Sequence, residues 1–193
     1  FPMTPALIDR GKHISKGTFL CAQYALQYGV AMNIAGGTHH AFADFGEGFC
    51  IFNDIAIAAN LMLSKGLAKK ILIIDLDVHQ GNGTAHIFEH VPEVFTFSMH
   101  GEKNFPTRKE KSDLDIGLED QTGDQAYLSN LKNTLPRLID EVQPDFAFYL
   151  SGVDIITSDK LGRLSVSKAG CKERDRFTLS TLKNNGIPVA ISM

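Results

Sequence analysis

The sequence has no tryptophan and only three cysteines, Cys21, Cys50 and Cys171, with no Cys-x-x-Cys spacing. A disulfide scaffold is therefore excluded, and the usage fits a reducing compartment, so the expected localisation is cytoplasmic. No apolar run approaches the length of a membrane span, and no signal peptide is visible. Positive charge is not in excess either. Nineteen Lys and Arg face 22 Asp and Glu, a formal charge of -3. That balance argues against a nucleic-acid surface. Arg108, Lys109 and Lys111 are interleaved with Glu110, Asp113 and Asp115 and read as a solvated loop, with a substrate-facing rim as the alternative. Repeats, linkers and low-complexity segments are missing too. What remains is 193 residues at 44% hydrophobic content, enough for one domain with a core. The chain starts at Phe1-Pro2 without an initiator methionine and stops in residues 186–193, which read as the start of a strand. The expectation is a single domain over residues 1–193, incomplete at both ends.

Apolar periodicity predicts helices over residues 15–29, 53–66, 84–89 and 125–142, and another within 165–181 that starts near Ser167. Pro136 requires a bend or break in the fourth of these. Glu173 and Arg174 are expected on the exposed portion of the last, and Asp54 as the N-cap of the second. Strands are predicted over residues 30–34, 70–76, 94–99 and 145–151, with a final one at Pro188. Residues 101–125 read as an extended surface loop. Strands and helices alternate, which predicts an α/β fold with a mainly parallel sheet covered on both faces. Polar clusters follow four of the strands. Parallel strands gather such clusters along one edge, so they can meet in one crevice.

The richest cluster is Asp75-Leu76-Asp77-Val78-His79-Gln80-Gly81-Asn82-Gly83. Asp77 and His79 share strand parity and can point the same way. With Asp154 they form the best metal-ligand set, because carboxylate oxygen and imidazole nitrogen suit zinc or iron. Three protein ligands leave a position for water and a carbonyl. His39 and His40 are neighbours whose rings diverge unless the loop bends. Either can exchange a proton with water and a leaving amine. Asp75 is the candidate partner orienting His39, and Asn82 the one orienting His40. Phe49 and Phe105 are candidate walls of an apolar channel, with Gly48 and Gly152 permitting close backbone approach. Each phenylalanine taken alone is more often a core residue. His86 and His90 read as surface residues, and His100 as packing or support. Cys50 lacks an activating arrangement. The Gly81-Asn82-Gly83 turn has neither the P-loop lysine nor dinucleotide spacing.

The chain resembles the histone deacetylase superfamily, including acetoin-utilization-type proteins, acetylpolyamine amidohydrolases and the bacterial relatives of class IV deacetylases. The matching segments are Gly36-Gly37-Thr38-His39-His40-Ala41, Gly46-Glu47-Gly48-Phe49-Cys50-Ile51-Phe52-Asn53-Asp54, and the Asp75 to Thr84 run. Phe97-Ser98-Met99-His100, Ser151-Gly152-Val153-Asp154 and Asp159-Lys160-Leu161-Gly162-Arg163-Leu164 complete the set. The resemblance implies the three-layer α/β/α arginase/deacetylase fold, with a parallel sheet of about eight strands. It implies catalytic Zn2+, or Fe2+, on Asp77, His79 and Asp154. It gives His39, paired to Asp75, an electrostatic role, and makes His40, beside Asn82, the general base and acid. A structural potassium ion would lie at Asp75, Asp77, His79, Ser98 and Met99, several through backbone oxygens. Gly48, Phe49, Phe105 and Gly152 would form the acyl-lysine channel. Relatives place a catalytic tyrosine in a glycine-rich loop after the last strand. This sequence stops at Met193, before that position, and none of Tyr24, Tyr28, Tyr127 or Tyr149 has the matching context.

These features predict a zinc-dependent amidohydrolase that removes acetyl or longer acyl groups from lysine side chains and needs no organic cofactor. The expected partner is an acyl-lysine peptide or protein, or a small acylated amine, with no nucleic acid and no membrane. The rivals are deacylation of a small amide such as an acetylpolyamine, and a non-catalytic metal-binding or protein-interaction module. A ureohydrolase-like two-metal cluster would need bridging carboxylates that the sequence does not offer.

Overall fold

Thr4 and Pro5 start the first helix. The computed structural model describes residues 3–193, and in it α1 runs over Pro5–Tyr28. The Thr4 hydroxyl accepts from the Leu7 N–H, and Pro5 occupies a position where its missing N–H costs nothing. The helix is ten residues longer at its start than periodicity predicts. Its fully buried residues begin only at Ser15, and the first turns offer only the partly buried Leu7, Ile8 and Ile14 as an apolar signal.

Ten further elements follow: β1 (Val30–Asn33), α2 (Asp54–Ser64), β2 (Ile71–Asp75), α3 (Asn82–Phe88), β3 (Val94–Gly101), β4 (Leu114–Leu118), α4 (Asp124–Val142), β5 (Phe146–Leu150), α5 (Lys168–Asn184) and β6 (Val189–Ser192). The six strands form one parallel sheet in the order β1-β6-β5-β2-β3-β4. The family resemblance implies about eight strands; the described residues supply six. β2 and β5, at the centre, are buried along their whole length, as expected where both faces are covered. On one face, Cys21, Ala22 and Ala25 of α1 pack with Ile55, Ala59 and Met62 of α2 over Ile71 and Ile73. On the other, Tyr127, Leu131 and Leu135 of α4 and Leu182 of α5 cover Leu72, Ile74 and Tyr149. The fold is thus a three-layer α/β/α sandwich.

Three local expectations change. Residues 101–125 are not all loop, because β4 pairs with the end of β3 in the register Phe97↔Leu114 to Gly101↔Leu118. It is a short edge strand whose alternation of Leu114, Ile116 and Leu118 with Asp115 and Gly117 is half polar. Asn53, not Asp54, caps α2, accepting from the Ala56 N–H. Asp54 is instead buried, holding the Thr18 and Thr38 hydroxyls at 2.6 and 2.7 Å. And α4 continues as helix through Pro136, so of the bend or break expected there the break is absent.

The topology fixes where a site belongs. From β2 the chain steps outward to β3 and β4, then returns to place β5 and β6 on the opposite side of β2. The direction of winding reverses between β2 and β5, and the crevice at their carboxyl ends is the place where open α/β sheets bind ligands. Asp77 follows β2 and Asp154 follows β5.

Candidate active site

Asp75 ends β2, and the chain then turns so that Asp77 and His79 lie in the crevice. The turn is held by side chains: the Asp77 N–H donates to Asp75 Oδ1 at 3.1 Å, and the His79 N–H to Asp77 Oδ1 at 2.8 Å. From across the switch point, Asp154 Oδ1 accepts from the Val78 N–H at 3.0 Å. One ligand atom each from Asp77, His79 and Asp154 lies within 4.8 Å of the others. His79 Nδ1 is 3.0 Å from Asp77 Oδ1 and 3.1 Å from Asp154 Oδ2. Two carboxylates thus converge on one ring nitrogen, which carries at most one hydrogen. A divalent cation satisfies all three donors at once, and the O,N,O set suits zinc or iron. Without such an ion, burial lowers the proton affinity of His79, but its bonds to Asp154 and Asp77 outweigh this and raise its pKa to about 10.

His39 and His40 arrive from the loop after β1. That loop bends, with the His39 N–H donating to Gly37 O at 3.0 Å. The two rings therefore face the same side, with centroids 4.1 Å apart. His39 Nδ1 lies 2.6 Å from Asp75 Oδ2, and both side chains are buried. Burial disfavours the cation, yet the Asp75 carboxylate dominates and the pKa rises to about 9. His40 Nδ1 lies 2.7 Å from Asn82 Oδ1. Burial, and then the neighbouring His39 charge, press its pKa down to about 3. Asn82 in turn donates from Nδ2 to Glu47 Oε2. An amide oxygen accepts only, so His40 carries its hydrogen on Nδ1 and leaves Nε2 free.

Above His40 opens a cleft of about 470 Å³ lined by Gly48, Phe49, His79, Phe105 and Leu161 among others. Phe105 stands edge-on to His40, ring centroids 4.9 Å apart. Both phenylalanines are exposed, Phe49 at 74% and Phe105 at 40%, so neither is a core residue. Gly152 does not line this cleft. It is buried behind Asp77, where a Cβ would strike the Asp77 carboxylate. Lys109 is half-buried, and its ammonium donates to the carbonyls of Glu102, Asn104 and Pro106 at 3.0, 2.7 and 2.6 Å. It staples the loop that carries Phe105 and is not a freely solvated charge. Of the residues of the expected potassium site, Asp75 ends β2 in register with Ser98 of β3, Met99 follows within β3, and Asp77 and His79 lie in the turn after β2. The Ser98 hydroxyl is 2.9 Å from His100 Nδ1. The Cys50 thiol is buried, which pushes its pKa up to about 11. Tyr149 is buried with its hydroxyl donating to Asp175 at 2.6 Å, and Tyr24 and Tyr28 lie exposed on α1.

One residue that the sequence pattern places at the surface is central here. Arg174 is fully buried. Its guanidinium donates to Leu76 O at 3.1 Å, Gly152 O at 2.6 Å and Ser151 O at 3.1 Å, and pairs with Asp175 at 2.8 Å. It ties together the chain just after β2 and β5, the two segments that carry Asp77 and Asp154. Its partners are mainly backbone carbonyls, which no side-chain pattern marks.

The parallel α/β sheet thus carries at its switch point a carboxylate–imidazole–carboxylate group that could hold a metal ion, flanked by two oriented histidines. The chain matches the family model for the histone deacetylase domain over residues 1–193 and belongs to that family. It is 50% identical over 189 residues to an uncharacterised protein of Picosynechococcus, covering 98% of this chain and 63% of that protein. To histone deacetylase 2 of Arabidopsis thaliana it is 32% identical over 178 residues, 91% of this chain and 46% of the relative. To the acetoin utilization protein AcuC of Staphylococcus aureus it is 35% identical over 152 residues, 71% of this chain and 39% of the relative. The chain thus spans between 39% and 63% of the length of these relatives. No described helix is long and apolar enough to cross a membrane.

Proposed function

We propose that this chain forms the core of a zinc-dependent amidohydrolase that removes acetyl or longer acyl groups from lysine side chains. The observation that carries the reading is the pair of adjacent histidines, each tied through Nδ1 to a different acceptor and both beside the Asp77–His79–Asp154 cluster at the foot of an apolar cleft. Bound to Asp77, His79 and Asp154, a divalent ion would polarise a carbonyl and acidify water. His40, uncharged and free at Nε2, accepts a proton from the attacking water and returns it to the departing amine. His39, kept cationic by Asp75, places positive charge beside the carbonyl oxygen as it becomes an oxyanion. Phe49 and Phe105 hold the alkyl stem of the acylated side chain and keep water from its flanks. The potassium assignment belongs to the same proposal, with Asp75, Asp77, His79, Ser98 and Met99 as its residues.

A lysine substrate fits better than a polyamine. Among the described residues lining the cleft none is acidic, whereas Lys103 and Arg163 are present. A polycation gains nothing from such a rim.

The test is amide hydrolysis by the full-length, zinc-loaded protein on an acetyl-lysine peptide, a long-acyl-lysine peptide and an acetylpolyamine. Turnover on the peptides, reduced by about 10²–10⁴ in His40→Ala, is expected. Absence of turnover on all three substrates, with metal bound and the fold intact, would overturn the reading.

A further inference from the structure

Glu47 takes no part in the chemistry above, yet its carboxylate is the far end of a chain that reaches His40. It lies half-buried in the turn Gly46-Glu47-Gly48-Phe49-Cys50, which closes through the Cys50 N–H donating to Glu47 O at 2.9 Å. The turn presses onto His40. Gly48 has φ +57, and a Cβ there would lie 3.0 Å from His40 Cδ2. From this turn the Glu47 carboxylate accepts the Asn82 amide hydrogen, while Asn82 Oδ1 faces His40 Nδ1 at 2.7 Å. The two ends of an amide side chain have nearly the same shape, so its partners alone decide which end points where. With its donor end unclaimed, Asn82 can turn its NH2 toward His40. That NH2 would require a bare Nδ1 and would send the ring hydrogen to Nε2, the atom needed as proton acceptor.

We propose that Glu47 is a positioning residue for His40, acting through Asn82. It locks the amide with oxygen toward the ring, keeps the hydrogen on Nδ1, and sets a negative charge one amide away from the imidazolium that forms when Nε2 takes a proton. Glu47 itself exchanges no proton. A carboxylate at position 82 would meet His40 directly; in this chain the neutral Asn82 makes the contact and the charge stands one side chain further out. The consequence for catalysis rests on the role proposed above for His40, whereas the tautomer lock does not.

The experiment exchanges the two groups. Glu47→Gln, Asn82→Asp and the double variant are prepared in the full-length, zinc-loaded protein and assayed on acetyl-lysine peptide. Glu47→Gln lowers kcat about tenfold with KM unchanged. Asn82→Asp also lowers kcat, because two carboxylates then face each other and one must be protonated or move. The double variant regains most of the loss, since the amide now at position 47 donates to the carboxylate now at position 82, which accepts from His40. A turn that merely supports the fold gives no such reversal. Independently of turnover, ¹⁵N NMR of the His40 ring reads the tautomer: Nδ1–H in the parent protein, and a mixture in Glu47→Ala. A double variant no better than the poorer single one, together with an unchanged tautomer in Glu47→Ala, overturns the proposal. If the parent hydrolyses no amide but Glu47→Ala still mixes the tautomers, the catalytic role of His40 fails and the positioning by Glu47 stands.

Discussion

Asp75 raises the proton affinity of His39, while burial and the resulting His39 charge depress that of His40, and this opposition has a measurable consequence for stability. A histidine with a raised folded-state pKa stabilises fully below its unfolded value of 6.5 and loses that contribution as the pH climbs through about 9. His79 acts in the same sense up to about 10 in the metal-free protein. His40, with its pKa near 3, acts in the opposite sense: its protonated unfolded form gains as the pH falls below 6.5. The melting temperature of the metal-free, full-length protein should therefore fall between pH 6.5 and 9, and fall less steeply in His39→Asn. Equal slopes, read by calorimetry across that range, would show that the Asp75 pair does not carry the effect. At this scale the sequence displays Asp75, Asp77 and His79 openly, because they cluster where an apolar strand meets a glycine turn. Arg174 and Glu47 leave no such trace. A charged residue on a helix and a carboxylate in a glycine-rich turn are ordinary surface features until their partners are known.

At the level of elements, the buried guanidinium of Arg174 acts as a strut from α5 to the ends of the two central strands. Replacing it with methionine keeps much of the volume but leaves three buried carbonyls without their donor and Asp175 with Tyr149 but no cation. We expect a loss of about 3–5 kcal/mol in urea unfolding, together with weaker divalent-metal binding, because Asp77 and Asp154 follow the segments it ties. Unchanged metal affinity in a folded Arg174→Met protein would confine the strut to stability. Central elements are readable in the sequence because β2 and β5 are continuous apolar runs and α2 is rich in alanine. The start of α1 and the whole of β4 are not. The former has no fully buried residue until Ser15, and the latter is an edge strand with only one well-buried residue, Leu118. Tertiary pairing, not local pattern, makes both what they are.

For the whole molecule, the sheet order sets Asp77 and Asp154 on opposite sides of one switch point, so a metal ion there would cross-link the two halves of the sheet. Zinc at a hundredfold excess over its dissociation constant should stabilise the full-length protein by about 2.7 kcal/mol. Asp154→Asn should abolish most of that gain and, because Asp154 also pairs with His79 in the metal-free protein, lower the metal-free melting temperature by a smaller amount; thermal scans with and without chelator separate the two effects. The same sheet order also bears on how the protein is made. Among the described residues β1 has a single neighbour, β6, in the register Val30↔Val189 to Asn33↔Ser192. At roughly 5–20 residues per second, the ribosome delivers that neighbour many seconds after β1 has left the exit tunnel. Through that interval Val30 and Met32 lack the pairing with β6, and about half of their surface is exposed in the described structure. Until β6 emerges, β1 lacks the one mate it has among the described residues, and an apolar strand in that state is the kind of segment that holdase chaperones bind.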